Sequence, residues 1–152
     1  MLKWVALGVL MVAIAGAVYV RMAEVDPARW HVDPATVTPG ARPNDHLVAG
    51  EDAVFVPLSP QEALRRVDAI ARSEPRVRMI EGGVEAGHAT WVQRSASIGF
   101  PDYISVRAQA VEGGSRVSVY SRSRFGHSDF GVNEARVARW LARLEKDAIT
   151  AK

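Results

Sequence analysis

The segment from Ser121 to Asn133, SRSRFGHSDFGVN, holds the densest group of chemically capable side chains in the sequence. A hydrolase needs a nucleophile, a base and an orienting carboxylate, and Ser123, His127 and Asp129 carry those three groups. Neighbouring residues of an extended chain point to opposite sides, so the consecutive trio His127, Ser128 and Asp129 cannot converge on one proton path. We therefore assign no catalytic residue and keep a hydrolase built on Ser123, His127 and Asp129 as an alternative.

The same segment also has a structural interpretation, as a polar corner between the last strand and the last helix. Gly126 and Gly131 permit backbone angles that other residues resist, and Asp129 can accept a hydrogen bond from the backbone two residues further on. Asn133 is predicted to cap the helix that follows. Such a corner would fix the final helix to the sheet.

Metal, thiol and cofactor chemistry have no pattern to support them. The chain contains no cysteine, which excludes a disulfide, a thiolate zinc site, a cysteine nucleophile and a lipid-modified cysteine. Its four histidines, His31, His46, His88 and His127, are scattered, and no pair has the close spacing that usually places two imidazoles on one ion. We predict no metal and no cofactor.

The elements that must position the corner follow from the apolar periodicity. Nearly half of the 152 residues are apolar and about a quarter are charged, as in one globular domain with appendages. Ser59-Pro60-Gln61-Glu62 is a capping box that opens a helix ended by Pro75. Strands are predicted at about residues 53–57, 76–81, 87–96, 102–111 and 115–124, before a closing helix over about 134–147. The predicted fold class is α+β, an antiparallel sheet in β-α-β-β-β-β-α order with both helices on one face.

The strands place arginines on the face that these helices leave bare. In ISVRAQAV and RVSVYSRSR apolar residues alternate with polar ones, which places Arg107, Arg122 and Arg124 on this face. With Val77, Met79 and Trp91 inward, Arg76, Arg78 and Arg94 join them, and Val92 then also lies outward. Gathered guanidinium groups repel one another unless acids or a bound anion neutralise them. The predicted ligand is a carboxylate, a phosphate or an anionic lipid headgroup, and a salt-bridged solvated face is the alternative. The predicted ligand-binding residues are Arg94, Arg107, Tyr120, Arg122, Arg124 and Asp129.

This ligand hypothesis makes a specific prediction about Arg122. If its guanidinium group is exposed and binds an anion, Arg122→Ala should weaken binding and leave the melting temperature nearly unchanged. A large loss of stability would instead indicate a structural role.

The N-terminal run from Trp4 to Val20 is apolar throughout. As a helix its 17 residues would span about 26 Å, at the short end of what a bilayer core requires. Lys3 favours a cytoplasmic N-terminus, so we predict a single-pass protein of the cytoplasmic (inner) membrane with its domain facing the periplasm or the outside. A cleaved signal peptide is the alternative, because Ala15-Gly16-Ala17 supplies small residues at the cleavage spacing.

The chain divides into three predicted regions. Residues 1–21 form the anchor, residues 22–52 a Pro-containing extended arm, and residues 53–152 the α+β domain. Within the arm, Trp30 is expected to fold down onto the domain and fill a groove. The domain carries fifteen basic residues against eleven acidic ones, but its location outside the cytoplasm argues against a nucleic-acid partner.

Three motifs together resemble a known family. SRSRFGHSDFGVNEARV, GFPDYISVRA upstream and Pro43-Asn44 in the arm are similar to the signature of the domain of unknown function 1499 family, over roughly residues 26 to 145. The resemblance implies an uncharacterised bacterial envelope or plastid protein with no settled activity. Its motif positions correspond to Pro43, Asn44, Pro101, Asp102, Ser121, Arg122, Ser123, Arg124, Gly126, Asp129, Gly131, Asn133 and Arg136. With these, the predicted structural corner comprises Asp102, Ser121, Ser123, Gly126, Gly131, Asn133 and Arg136.

The function predicted from the sequence is a membrane-anchored, non-enzymatic binding or assembly module of the cell envelope. Its expected partners are the membrane, through the N-terminal helix, and an anionic small molecule, a lipid headgroup or an envelope protein. A purely structural scaffold in an envelope complex is the first alternative, and the hydrolase is the second.

Overall fold

The computed structural model describes residues 1–38, 40 and 42–150. The helices in this part of the chain are α1 (Leu2–Arg21), α2 (Pro27–Trp30), α3 (Pro60–Ser73) and α4 (Val132–Thr150). The strands are β1 (Asp45–Val48), β2 (Val54–Val56), β3 (Val77–Gly83), β4 (His88–Arg94), β5 (Pro101–Val111) and β6 (Gly114–Ser123). Pro39 and Ala41 of the predicted arm and residues 151–152 of the predicted domain lie outside the described residues.

The strands form one antiparallel sheet in the order β1-β6-β5-β4-β3. Both β1 and β2 pair with β6, β1 along residues 119–122 and β2 along residues 115–117, so the two short strands share one sheet position. The fold class predicted from the sequence is confirmed: the domain is α+β, and β3 to β6 form the expected antiparallel meander.

Helices α3 and α4 cover the same face of the sheet, as predicted. Ser59 caps α3 as predicted, since its Oγ accepts a hydrogen bond from the Glu62 backbone N–H at 3.2 Å. The Glu62 carboxylate, which a capping box would turn back to the Ser59 N–H, accepts from Arg65 and Arg66 instead. Trp91 of β4 meets Trp140 of α4 edge to face, with ring centroids 6.0 Å apart, and both are buried. The core beneath the helices is completed by apolar residues of β4, β5 and β6 such as Ala89, Val106 and Val119.

The opposite face is not bare, and that prediction is wrong. Trp30 of α2 is 5% exposed and stacks on Tyr103 of β5, with ring centroids 4.0 Å apart and ring planes 6° from parallel. Val92 points away from α3 and α4, as expected, and is buried in the same cluster. The expectation that Trp30 folds onto the domain is therefore confirmed. The segment around Trp30, from Ala23 to Asp33, covers the face that carries the arginines.

The segment before β2 is more regular than the predicted extended arm. Asp26 Oδ1 accepts from the Ala28 N–H at 3.0 Å, which caps α2, and Asp33 Oδ1 accepts from the Ala35 N–H at 3.0 Å, which caps a 3₁₀ turn at Pro34–Thr36. Each Asp-Pro pair supplies a helix cap followed by a residue suited to the first turn. The prediction of an irregular, extended arm is therefore wrong for these residues. It is also wrong for β1, because β6 supplies a pairing partner for that strand.

Helix α1 extends from the domain with none of its residues buried. It is long and apolar enough to span a membrane, with a mean hydropathy of 2.0, and a signal sequence would have the same properties. Its C-terminal end is attached to the sheet, since Arg94 Nη1 donates to Val20 O at 3.4 Å and Nη2 donates to Ala23 O at 3.0 Å. This end of the sheet therefore lies at the point where α1 joins the domain.

Candidate functional site

The predicted polar corner is present, but Asp129 and not Asn133 caps the last helix. Burial alone would raise the pKa of Asp129, yet hydrogen bonds from the backbone N–H groups of Asn133 (2.7 Å) and Gly131 (3.2 Å) bring that pKa below its ordinary value. Gly126 and Gly131 have φ angles of 89° and 78°, as their predicted role requires. Because α4 begins at Val132, Asn133 lies inside its first turn and turns its side chain towards the sheet.

Asn133 joins three separate parts of the chain through its side-chain amide. Its Oδ1 accepts from Ser121 Oγ at 2.6 Å, and its Nδ2 donates to Ser123 Oγ at 3.1 Å and to the Asn44 carbonyl at 3.0 Å. Asn44 Nδ2 in turn donates to the Gly126 carbonyl at 2.7 Å. Buried hydroxyls require such partners, and the inward direction predicted for Ser121 and Ser123 is correct.

Arg136 is the buried cation of the corner, with 4% of its surface exposed. Its Nη2 forms an ion pair with Asp102 Oδ2 at 2.7 Å, its Nε donates to Gln93 Oε1 at 2.7 Å, and its Nη1 donates to Ser121 Oγ at 2.9 Å. One α4 side chain is thus bonded to β4, β5 and β6. The structure brings together the predicted corner residues, and Gln93 is a member that the sequence did not indicate.

The three groups of the alternative hydrolase are directed elsewhere. Ser123 Oγ accepts from Asn133 Nδ2, and both carboxylate oxygens of Asp129 accept from the backbone of their own turn. His127 is exposed, and within the described part of the chain no hydrogen bond joins it to Ser123 or Asp129. The geometry gives no nucleophile–base pair in this corner.

Arg122 lies on the predicted face but is buried, with 2% of its surface exposed. It donates to Ser105 Oγ at 3.0 Å, to the Tyr120 carbonyl at 3.1 Å and to the Trp30 carbonyl. Its guanidinium carbon lies 5.6 Å from the Trp30 ring centroid and 4.6 Å from that of Tyr120. Burial lowers the pKa of Arg122 to about 10. The premise that this group is exposed to a ligand is wrong, because the segment around Trp30 covers it.

The other predicted ligand-binding residues also contact that segment. Arg124 donates to the Glu24 carbonyl, Arg94 to those of Val20 and Ala23, and Arg107 pairs with Asp33 at 3.8 Å. Carbonyl oxygens and one carboxylate thus supply several of the hydrogen-bond acceptors that the prediction assigns to a ligand. Tyr120 instead donates through its hydroxyl to Asp45 of β1 at 2.8 Å. Ligand binding by these side chains stays a prediction.

Two of the scattered histidines lie in contact where the segment around Trp30 packs against β4. The His31 and His88 rings stack with centroids 3.9 Å apart, and His31 Nδ1 lies 2.9 Å from Thr90 Oγ1. His88 Nε2 lies 3.2 Å from the Val32 carbonyl. No sequence spacing indicates this pair, since one ring comes from the loop after α2 and the other from β4. The described residues contain no cluster of metal-ligating side chains.

Acidification should loosen this segment. Burial, followed by the adjacent His31 ring, lowers the pKa of His88, whereas the Val32 carbonyl and Asp33 act in the opposite direction and Arg107 adds to the lowering. A group with a depressed pKa binds a proton more readily in the unfolded chain, so its stability contribution is present above about pH 6.5 and is lost as the pH falls.

Amide hydrogen exchange measures this loss. We expect exchange of residues 30–33, corrected for its intrinsic pH dependence, to become faster between about pH 7 and pH 5. In His88→Gln that pH dependence should be much weaker. Equal pH dependence in both proteins would show that another group controls the segment.

A second concentration of arginines lies where α1 joins the domain. A cleft of about 340 Å³ opens there, beside the Val20 and Ala23 carbonyls that Arg94 contacts. Four of its lining residues are arginines, and no carboxylate is among the described residues that line it. Its lining consists of Arg21, Arg76, Val77, Arg78, Val92, Arg94, Ser95, Ala96 and Gly99. The alternation pattern predicts Arg76, Arg78 and Arg94 on one face of the sheet, but it does not predict that Arg21 lies beside them.

Comparison with known proteins gives a family and no activity. The sequence model of a family described as "Protein of unknown function (DUF1499)" matches residues 24–144. No curated protein matches. A solved structure of a DUF4468 family protein from Bacteroides ovatus ATCC 8483 is 12% identical, with 70% of this chain and 68% of that chain covered, at a TM-score of 0.29. A likeness that weak carries no argument about fold or function.

Proposed function

Because the chain belongs to the DUF1499 family, whose description names no activity, we propose a function from the arginine cleft beside α1. The protein is a membrane-anchored, non-enzymatic binding module of the cell envelope that holds the phosphate of an anionic phospholipid headgroup. The observation that carries this proposal is a cleft lined by Arg21, Arg76, Arg78 and Arg94 at the end of an apolar helix.

The charges in the cleft favour an anion. Arg21, Arg76 and Arg78 are exposed, and Arg94 is held in place by the Gly99 carbonyl at 2.9 Å. Arg76 has a φ of 58°, a strained angle for an arginine, and its Nε donates to the Arg94 carbonyl at 2.9 Å. Guanidinium groups held close together are stabilised by a group that accepts from several of them, as phosphate does.

The position of the cleft favours a lipid over a soluble anion. Arg21 is the first charged residue after the apolar run, so in a spanning α1 it lies at the bilayer surface. Basic residues near a membrane are attracted to anionic headgroups. Val77 and Val92 supply apolar surface beside the arginines, suited to the glycerol and upper acyl carbons of a lipid.

We expect Arg21→Gln with Arg78→Gln to weaken headgroup binding. The full chain in detergent is titrated with short-chain phosphatidylglycerol, and loss of two charged donors should raise the Kd by at least about tenfold. Arg65→Gln is the matched control, because Arg65 is an exposed α3 arginine outside the cleft and should leave the Kd unchanged.

Titration with two further ligands distinguishes a lipid headgroup from a free phosphate ion. Phosphatidylcholine with the same chains should bind more weakly than phosphatidylglycerol, since its headgroup carries no net charge. Competition by inorganic phosphate at the same concentration as the lipid would identify a soluble phosphate as the ligand. An unchanged Kd in the double variant would contradict the proposal.

A further inference from the structure

We infer, on the proposal that α1 spans the bilayer, that loops 96–100 and 125–132 insert apolar side chains into the bilayer surface beside it. The surface concerned is made of Ile98 and Phe100 from the first loop, and of Phe130 and Val132 from the second, which ends at Val132, the first residue of α4. Their exposed fractions are 38%, 37%, 95% and 49%. Exposed apolar patches mark contact sites, and here the occupant is lipid.

The aromatic rings of these loops continue directly from α1. Phe125 contacts Tyr19 of α1 edge to face, with centroids 6.2 Å apart, and contacts Phe100 in the same manner at 6.2 Å. A Cβ placed on Gly99 would lie 3.6 Å from Arg21 Cγ, so the first loop also touches the end of α1. Tyrosine near the end of a spanning helix lies at the headgroup level, which sets the depth of both loops.

The two loops face each other across one cleft. Phe100, Phe125, Phe130 and Val132 line this cleft, whose volume is about 420 Å³. Three of the four surface residues therefore form, with Phe125, one apolar rim at the end of the domain where α1 emerges. A bilayer fits such a rim because it covers both loops without a complementary protein surface.

The backbone holds Phe130 outward at a cost to the fold. Its φ is 54°, a left-handed conformation that is unfavourable for a bulky side chain. Ser128 Oγ accepts from the Phe130 N–H and Asp129 Oδ1 from the Gly131 N–H, both at 3.2 Å, which fixes the turn. Strained backbone angles cluster at functional positions, and here the strain lies at an aromatic residue with 95% of its surface exposed.

Spin labelling of the full chain tests the depth of this loop. The chain has no cysteine, so Phe130→Cys, Gly8→Cys and Phe55→Cys each accept one nitroxide label. Gly8 lies in the middle of α1, and Phe55 is an exposed apolar residue of β2 outside both loops. Each protein is reconstituted in vesicles of phosphatidylcholine and phosphatidylglycerol, and label collisions with oxygen and with an aqueous nickel chelate are measured.

We expect the label at 130 to be more accessible to oxygen than to nickel, at a depth of about 5–10 Å, and the label at 55 to be in water. A label at 130 in water, with that at 8 inside the bilayer, overturns the inference and leaves the anchor intact. A label at 8 in water overturns both. A label at 130 shielded from both reagents indicates a protein partner and also overturns the inference. Val132→Cys gives a second report from the same loop.

Discussion

Replacing Arg122 with methionine is expected to destabilise the domain by about 2–4 kcal/mol and to release the segment that contains Trp30. The substitution removes the charged donor from the Trp30 and Tyr120 carbonyls and from Ser105 Oγ. The Trp30 carbonyl keeps the Val32 N–H at 3.1 Å, and Ser105 Oγ keeps Thr90 Oγ1 at 2.8 Å. A buried hydrogen bond to a charged group contributes about 1.5–3 kcal/mol, and the relief from no longer burying a charge offsets part of the summed loss. Packing of the Trp30 ring against the guanidinium group is lost as well.

Thermal unfolding and limited trypsin digestion of the full chain in detergent measure the two effects. Cleavage after Arg29, the exposed residue before Trp30, should be more than about tenfold faster in Arg122→Met. The cleavage rate is proportional to the fraction of molecules in which the segment around Trp30 is detached from the sheet. Arg116→Met is the matched control: Arg116 is on the same strand and face but is exposed, and it donates only to the Ala53 carbonyl at 3.4 Å. Equal melting temperatures for the two variants would restore the interpretation of Arg122 as an exposed ligand-binding residue.

The strand alternation predicted which face each side chain of the sheet would occupy. Side-chain direction has a period of two in any strand, so Val106 and Val119 inward and Arg122 outward follow from local sequence. The cover over the outer face does not follow from it. Trp30 and Tyr103 come from distant parts of the sequence, and only the folded chain joins them. The alternation therefore predicts a ligand for the arginines, although backbone carbonyls satisfy several of them.

The corner shows how a small boundary error changes the role of a residue. With the helix placed at 134, Asn133 is a natural cap, but with α4 starting at Val132 it becomes a first-turn residue and Asp129 takes over the capping. Asp102 and Arg136 entered through the family resemblance, because their ion pair spans a strand and a helix. Gln93 had no signal at all, since one glutamine on a strand carries no pattern.

The arginine cleft could not be predicted from the sequence, for a related reason. Alternation along the strands predicts Arg76 and Arg78 on the arginine face, whereas Arg21 directly follows the apolar run and belongs to no strand. Their meeting depends on Arg94, which bonds the carbonyls at the end of α1 to the end of β4. Such side-chain attachments between distant segments have no periodicity to detect.

The second large effect is expected at Arg136, where glutamine should cost about 3–5 kcal/mol of unfolding free energy. The change leaves Asp102 as a mostly buried carboxylate without its cation and removes the donors to Gln93 and Ser121. Asn133 Oδ1 also loses one of its two donors, at 2.6 Å. Because these bonds hold α4 to three strands, unfolding of the variant should begin with separation of α4 from the sheet.

A double-mutant cycle separates the ion pair from the rest of the network. Arg136→Gln with Asp102→Asn should lose about 1–3 kcal/mol less than the sum of the single losses, because neither charge is then left alone. Arg143→Gln is the control on α4: Arg143 is exposed, donates to Ser73 Oγ at 3.0 Å, and should cost less than about 1 kcal/mol. Additive single losses would show that Asp102 and Arg136 are not coupled, and a loss at Arg136 no larger than at Arg143 would show that the corner does not hold α4 to the sheet.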